Sequence, residues 1–193
     1  FTPEPLTQDV SFVFHIEKTA DVVVDSLTAE ISGIPSTMEL TTGLILAQKT
    51  YKLLFRPTYA ALPSAADSAS AEALRCEASV NIPGIVRSHT EDMVTGPGIL
   101  QIAIYTHYDY EEEGTQRKAA KVFHAGINLY HTLKERKSLQ WDEEENGYRQ
   151  ASRSITVEIG SPLNIDKDGI LNGGSTSTGL DQWIPGETFE IEV

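Results

Sequence analysis

Leu27-Thr28-Ala29-Glu30-Ile31-Ser32-Gly33-Ile34-Pro35-Ser36-Thr37-Met38-Glu39-Leu40-Thr41-Thr42-Gly43-Leu44 joins a clean alternation to a Gly-Ile-Pro break and a polar return. From Leu27 to Ile31 apolar and polar residues alternate one for one. A half-buried strand requires that pattern, because successive side chains point to opposite sides of a sheet.

Working outward, similar segments recur at Asp9 to Glu17, Lys49 to Tyr59, Ala73 to Ile82, Ile99 to Tyr110, Ala119 to Leu133, Arg153 to Gly160 and Gly186 to Val193. The last is the clearest, with Phe189, Ile191 and Val193 on one face and Thr188, Glu190 and Glu192 on the other. No comparably long apolar stripe at helical spacing is present. Strands separated by turn-rich connections specify an all-β antiparallel sandwich rather than alternating strand and helix units.

A chain of 193 residues with 40% hydrophobic content can bury a real core. The expected organisation is a linker over residues 1–8 and a single sandwich domain over 9–193. Phe1-Thr2-Pro3-Glu4-Pro5 resembles an interdomain linker and lacks the basic start and apolar core of a signal peptide. The expectation is therefore that these residues are the later part of a longer protein. No apolar run is long enough to span a bilayer. With 15 basic against 28 acidic residues, net charge -13, the chain repels phosphate backbones, which argues against a nucleic-acid partner. The acidic runs Glu111-Glu112-Glu113 and Asp142-Glu143-Glu144-Glu145 lie beside turn residues and read as solvated loop faces.

The single cysteine, Cys76, allows no internal disulfide. It stands in the alternate file Leu74, Cys76, Ala78, Val80, Ile82, where it reads as a buried small hydrophobe rather than a nucleophile. His15, His89, His107, His124 and His131 fall in no metal-binding spacing; His124 and His131, seven apart, would lie on opposite faces of one strand. There is no nucleophile elbow, phosphate loop or zinc-protease helix, so no catalytic residues are assigned and the expectation is a protein that is not an enzyme. A hydrolase using carboxylates such as Glu111 and Asp142 has no positive support.

Asn164, Asp166 and Asp168, followed by Gly169, place oxygen-bearing side chains at alternate positions, as in the first half of a calcium loop. The twelfth position is Ser175 where a bidentate Glu belongs, and an ordinary turn rich in Asn and Asp accounts for the same residues. Irregular connections are expected at Ala60 to Ala73, Pro83 to Pro97 and Ser161 to Thr178. Scattered Tyr105, Tyr108, Tyr110, Tyr130, Trp141, Tyr148 and Trp183 offer rings for a carbohydrate platform or, more simply, for core and rim packing.

The combination of Leu6-Thr7 before a strand, Val22 through Ile34 with Ile31-Ser32-Gly33 at its end, the return Met38-Glu39-Leu40-Thr41-Thr42-Gly43, and Gly173-Gly174 before Asp181-Gln182-Trp183 and a closing strand resembles the C-terminal domain of fimbrillin-like surface proteins of Bacteroides-type bacteria. That family has Leu-Ser-Gly where this chain has Ile31-Ser32-Gly33. The resemblance implies a transthyretin-like or Greek-key sandwich, export as a lipoprotein, and lipid anchoring at the outer membrane through a segment upstream of Phe1. It also implies a role as fimbrial subunit, anchor or adhesin, with other fimbrial or surface subunits, or a host or community surface ligand, as partners. Assembly would proceed by strand addition, with Val10, Phe12, Phe14 and Ile16 of the first strand and Phe189, Ile191 and Val193 of the last as the candidate exchanging elements. The alternative is a calcium- or carbohydrate-binding sandwich module without other cofactors.

Overall fold

The computed structural model describes residues 6–62, 71–86, 96–136, 139–142, 144, 147–150, 153–171 and 183–191. Among the described residues, thirteen strands and one short helix follow in the order β1 Gln8–Thr19, β2 Val22–Met38, β3 Leu44–Phe55, β4 Thr58–Ala61, β5 Ala71–Ile82, β6 Ile99–Glu112, β7 Thr115–Asn128, α1 Tyr130–Glu135, β8 Leu139–Asp142, β9 Gly147–Gln150, β10 Ser154–Glu158, β11 Leu163–Ile165, β12 Ile170–Leu171 and β13 Ile184–Ile191. They form two facing sheets. Sheet A runs β12-β11-β1-β5-β4 with β10 also beside β1, and sheet B runs β13-β7-β6-β2-β3-β9-β8. The molecule is an all-β sandwich, as its alternating segments specify.

β1 is the spine of sheet A. Along one side it pairs antiparallel with β5 from Gln8↔Ile82 to Thr19↔Ala71. Its other side is shared end to end by two parallel strands, β10 over Asp9 to Val13 and β11 over Ile16 to Lys18. Sequence alternation carries no information about strand direction, so these parallel pairings within a mostly antiparallel fold are visible only in three dimensions. In sheet B, β6 and β7 form a long hairpin whose tight turn places Glu113 and Gly114 at positive φ.

The core fills the space between the inner faces. Val10, Phe12, Phe14 and Ile16 of β1 meet Leu27, Ala29 and Ile31 of β2, Leu100, Ile102 and Ile104 of β6, and Phe123 and Ile127 of β7 in one cluster. Phe12 stacks on Phe55 at 5.7 Å, and Phe14 meets Trp183 edge-on at 5.8 Å. The Trp183 indole N–H donates to the Ser161 carbonyl at 2.9 Å, so its polar end is satisfied where the ring is buried. Cys76 is fully buried, as its apolar file implies, and burial pushes its thiol up to about 12.

The Leu27 to Leu44 stretch explains how one chain segment serves two neighbours. A bulge at Asp25 shifts the register, so Val24 before it and Leu27 after it both face inward. At Ser32 and Gly33 β2 leaves β6 and continues beside β3 alone. The Ser32 hydroxyl donates to the Gly96 carbonyl at 2.7 Å and accepts from the Ile99 amide at 2.9 Å, while the Gly98 and Val86 amides donate to the Ser32 and Gly33 carbonyls. Gly33 sits at φ +83 against Pro97, where a Cβ would lie 2.3 Å from the proline Cβ. Only glycine fits that corner. The polar return Glu39 to Gly43 is the β2–β3 turn, closed by Gly43 at φ +72 and by the Thr42 hydroxyl, which donates to the Glu39 carboxylate and accepts from the Leu44 amide.

Three expectations need correction: first, the Ala60 to Ala73 stretch is strand at both ends, belonging to β4 as far as Ala61 and to β5 from Ala71. The Ala119 to Leu133 segment is not strand throughout: β7 ends at Asn128, whose side-chain oxygen accepts from the Tyr130 amide at 2.9 Å and satisfies a first-turn donor of α1. His131 therefore lies on a helix, not on a strand opposite His124. The Ser161 to Thr178 connection is not wholly irregular, since it contains the β11–β12 hairpin. The expected loops also include residues 63–70 and 87–95, which lie outside the described residues, as do 172–182.

Candidate functional site

Of the residues singled out as exchange elements, Val10, Phe12, Phe14 and Ile16 are completely buried on the inner face of β1, which has neighbours on both sides. Phe189 is different. It lies on β13, at the margin of sheet B, where among the described residues only β7 pairs with it. The β13 alternation has the two faces that the sequence implies, but the apolar one points away from the core. Phe189 is half-exposed beside Val122, while Glu190 is paired with inward-facing Lys121. The Ile191 side chain and Val193 lie outside the described residues.

Lys121 is the least expected residue of the inner layer. Its Nζ donates to the Lys167 carbonyl at 2.7 Å, stands 3.2 Å from a Glu190 carboxylate oxygen and lies 5.4 Å from the centre of the Tyr108 ring. Burial opposes its charge. The hydrogen-bonded Glu190 carboxylate and the neighbouring Tyr108 outweigh that cost and hold the ammonium above its ordinary value. Because Lys167 belongs to the β11–β12 turn, this one side chain ties sheet B to sheet A at the end of the core. On sheet A, inward-facing Lys18 likewise reaches out to Glu72 at 2.7 Å. Lysines snorkel in this way, burying the stem and delivering the charge to a rim partner.

The candidate calcium residues sit in that same turn. One Asp166 carboxylate oxygen accepts from the Asp168 and Gly169 amides, both at 2.8 Å, and the Asp166 amide donates to the Gly169 carbonyl at 3.0 Å. This is an Asx turn closing a hairpin, and the Lys121 ammonium holds the Lys167 carbonyl that a hard cation would want. Asn164 is paired with Leu171 across the hairpin. Among the described residues no group of three or more His, Cys, Asp or Glu side chains is placed to hold a metal ion.

The outer face of sheet B holds the other polar groups of interest. His107 pairs with Asp25 at 2.8 Å. His124 stands edge-to-face with Phe189, ring centres 5.6 Å apart. Beside it the β13–β7 register slips between Pro185 and Thr188, so that Gly186 and Glu187 pass His124 as a bulge. A hollow of about 250 Å³ opens there, lined by Gln101, His124, Gly126, Ile184, Pro185 and Gly186 among others. Sequence reasoning missed it, because it depends on two glycines and a register slip between distant segments. The isolated Gly126 in a strand pattern was the available signal.

Among the described residues no helix is long and apolar enough to cross a membrane. Comparison with protein families, with curated proteins and with solved structures finds no match to this chain.

Proposed function

We propose that this chain is a β-sandwich domain of a non-enzymatic cell-surface protein: a fimbrial subunit, fimbrial anchor or adhesin. The reading starts from the resemblance of Val22 to Gly43 and of the Trp183 region to fimbrillin-like proteins. The observation that supports it is the place of β13, an alternating strand at the margin of sheet B with its apolar side turned outward. A strand laid against that margin extends sheet B and shelters Phe189, which is the chemistry of assembly by β-strand addition. The buried β1 is better suited to holding the domain together than to leaving it.

The test is antibody labelling of intact and permeabilised cells that carry the natural gene, followed by chemical cross-linking. Labelling of intact cells, with cross-links to other surface subunits, is expected. Labelling that appears only after permeabilisation overturns the proposal.

A further inference from the structure

We propose that the hollow beside His124 is a binding site for one neutral, polyhydroxylated ring, a single pyranose unit of a glycan. It lies on the outer face of sheet B and stands independently of the surface-assembly reading.

Two missing side chains make the hollow. Gly126 faces outward between Ile184 on β13 and Gln101 on β6, in direct cross-strand register with both. A Cβ there would meet nothing closer than the Gln101 Cγ at 3.7 Å, an ordinary contact, so the position has room for a small side chain that glycine leaves out. Gly186 is the opposite case. A Cβ would come within 3.0 Å of the His124 Cβ and 3.1 Å of its carbonyl oxygen, so the bulge lies tight on β7 and holds the rim in place. The result is a floor without a side chain at Gly126, lined beside it by Ile184 and Pro185.

The polar groups of the lining, Gln101 and His124, are planar and incompletely used. The Gln101 side-chain oxygen accepts from Lys52 at 3.3 Å, which leaves its NH₂ group without a partner among the described residues. The His124 ring is oriented by Phe189, yet neither of its nitrogens makes a hydrogen bond to a described residue. An apolar hollow with a few convergent, unspent polar groups is the usual form of a small-ligand site. A carboxamide and an imidazole side by side suit vicinal hydroxyls, which both donate and accept. The apolar part of the lining suits the C–H face of a sugar.

Charge excludes the anionic alternatives. The nearby cation, Lys52, is already bonded to Glu30, and the chain as a whole carries -13. A carboxylate or phosphate ligand would enter a repulsive field, and among the described residues no lysine or arginine lines the hollow. The volume admits one ring, and the open side lets a glycan chain continue into solvent.

The experiment is ligand-observed saturation-transfer NMR on the 193-residue chain with a panel of neutral methyl glycosides, each at about 10 mM, suited to a Kd of about 1 mM. At least one glycoside is expected to receive saturation. Gly126→Val fills the floor with a residue that favours strands and is expected to weaken binding more than tenfold; Gln101→Ala is expected to weaken it about fivefold, the worth of one hydrogen bond. Circular dichroism and thermal melts establish that both variants are folded. The inference is overturned if no glycoside receives saturation, if Gly126→Val binds as tightly as the parent chain, or if resonances of the hollow shift with protein concentration alone, which would assign it to self-contact.

Discussion

The two sheets of the sandwich turn the same kind of face inward and different faces outward. Away from the core, sheet A presents Asp9, Ser11 and His15 of β1 opposite Asn81, Ser79 and Arg75 of β5, with Glu77 of β5 opposite Val13 and Glu17 of β1 opposite Ala73. Many of these satisfy one another: Asn81 donates to Asp9 at 2.7 Å, Ser11 to Ser79 at 3.3 Å, and Arg75 pairs with Glu77 at 2.7 Å. Sheet B presents Val23, Leu54, Tyr105, Ile184 and Phe189, all at least 37% exposed. A face whose side chains complete one another has little left to offer a partner; a face with exposed apolar groups and unspent donors has both area and hydrogen bonds to give. Both proposals therefore fall on sheet B, from the hollow at His124 to the margin at β13.

If the asymmetry is confined to the outside, cutting into the shared core from either sheet must cost alike. Phe14→Ala from sheet A and Phe123→Ala from sheet B, both fully buried, are each expected to lower stability by about 3–5 kcal/mol in urea melts. A much smaller loss for one of them would show that the two sheets do not share one core. Gly33→Ala strikes the corner where β2 changes partner, and is expected to cost roughly 3 kcal/mol, because a Cβ meets Pro97 and the backbone sits at φ +83. Full stability in that variant would mean that the corner can open, and with it the boundary between the two halves of sheet B.

Lys121 tests whether the sheets are joined at their end as well as through their middle. Lys121→Met removes a charge-assisted hydrogen bond and leaves the Lys167 carbonyl and Glu190 without their partner, a loss of about 2 kcal/mol. Its folded pKa is raised, so the stabilisation it gives is complete below its unfolded value of 10.5 and disappears as pH climbs through the higher folded value. Cys76 acts in a lower window. The folded thiol is raised from 9.0 to about 12 and holds its proton where the unfolded thiol has lost it. Stability therefore falls as pH rises above 9.0, at no more than about 1.4 kcal/mol per pH unit for one proton. Melts across that range are expected to lose this slope in Cys76→Ala; an unchanged slope would show that another group releases the proton.

How much of this was legible in the chain follows from what alternation encodes. The Leu27 to Ile31 pattern gave a strand with the correct buried set, and the file through Cys76 gave both the strand and the burial of the thiol. The Ser32-Gly33 and Glu39 to Gly43 motifs, the basis of the resemblance, are a corner and a turn, so what they report is backbone geometry. Alternation does not say which of two faces is inner when the sheet margin is near. In β13 the polar residue Glu190 lies on the inner side because Lys121 meets it there, and Phe189 is left outside. Nor could it find the hollow, since glycine contributes by absence and the bulge at Gly186 exists only once β13 lies on β7.

The smallest effect on stability carries the sharpest test of the two faces. Ser79→Ala on sheet A is expected to leave stability within about 0.5 kcal/mol of the parent chain, and Phe189→Ser on sheet B, which gives up half-buried area and a ring contact, to cost about 1 kcal/mol. Their consequences for association should diverge. Loss of the Ser79 hydroxyl removes a bond internal to sheet A, at 3.3 Å and exposed, so it alters no surface that a partner would seek. Loss of the Phe189 ring removes half-exposed apolar area at the margin of sheet B and frees the His124 ring from its edge contact. Cross-linking of surface subunits is therefore expected to survive Ser79→Ala and to drop in Phe189→Ser. Equal yields from both variants would take the margin of sheet B out of the assembly surface, because an apolar contact that matters cannot lose its largest exposed ring without weakening.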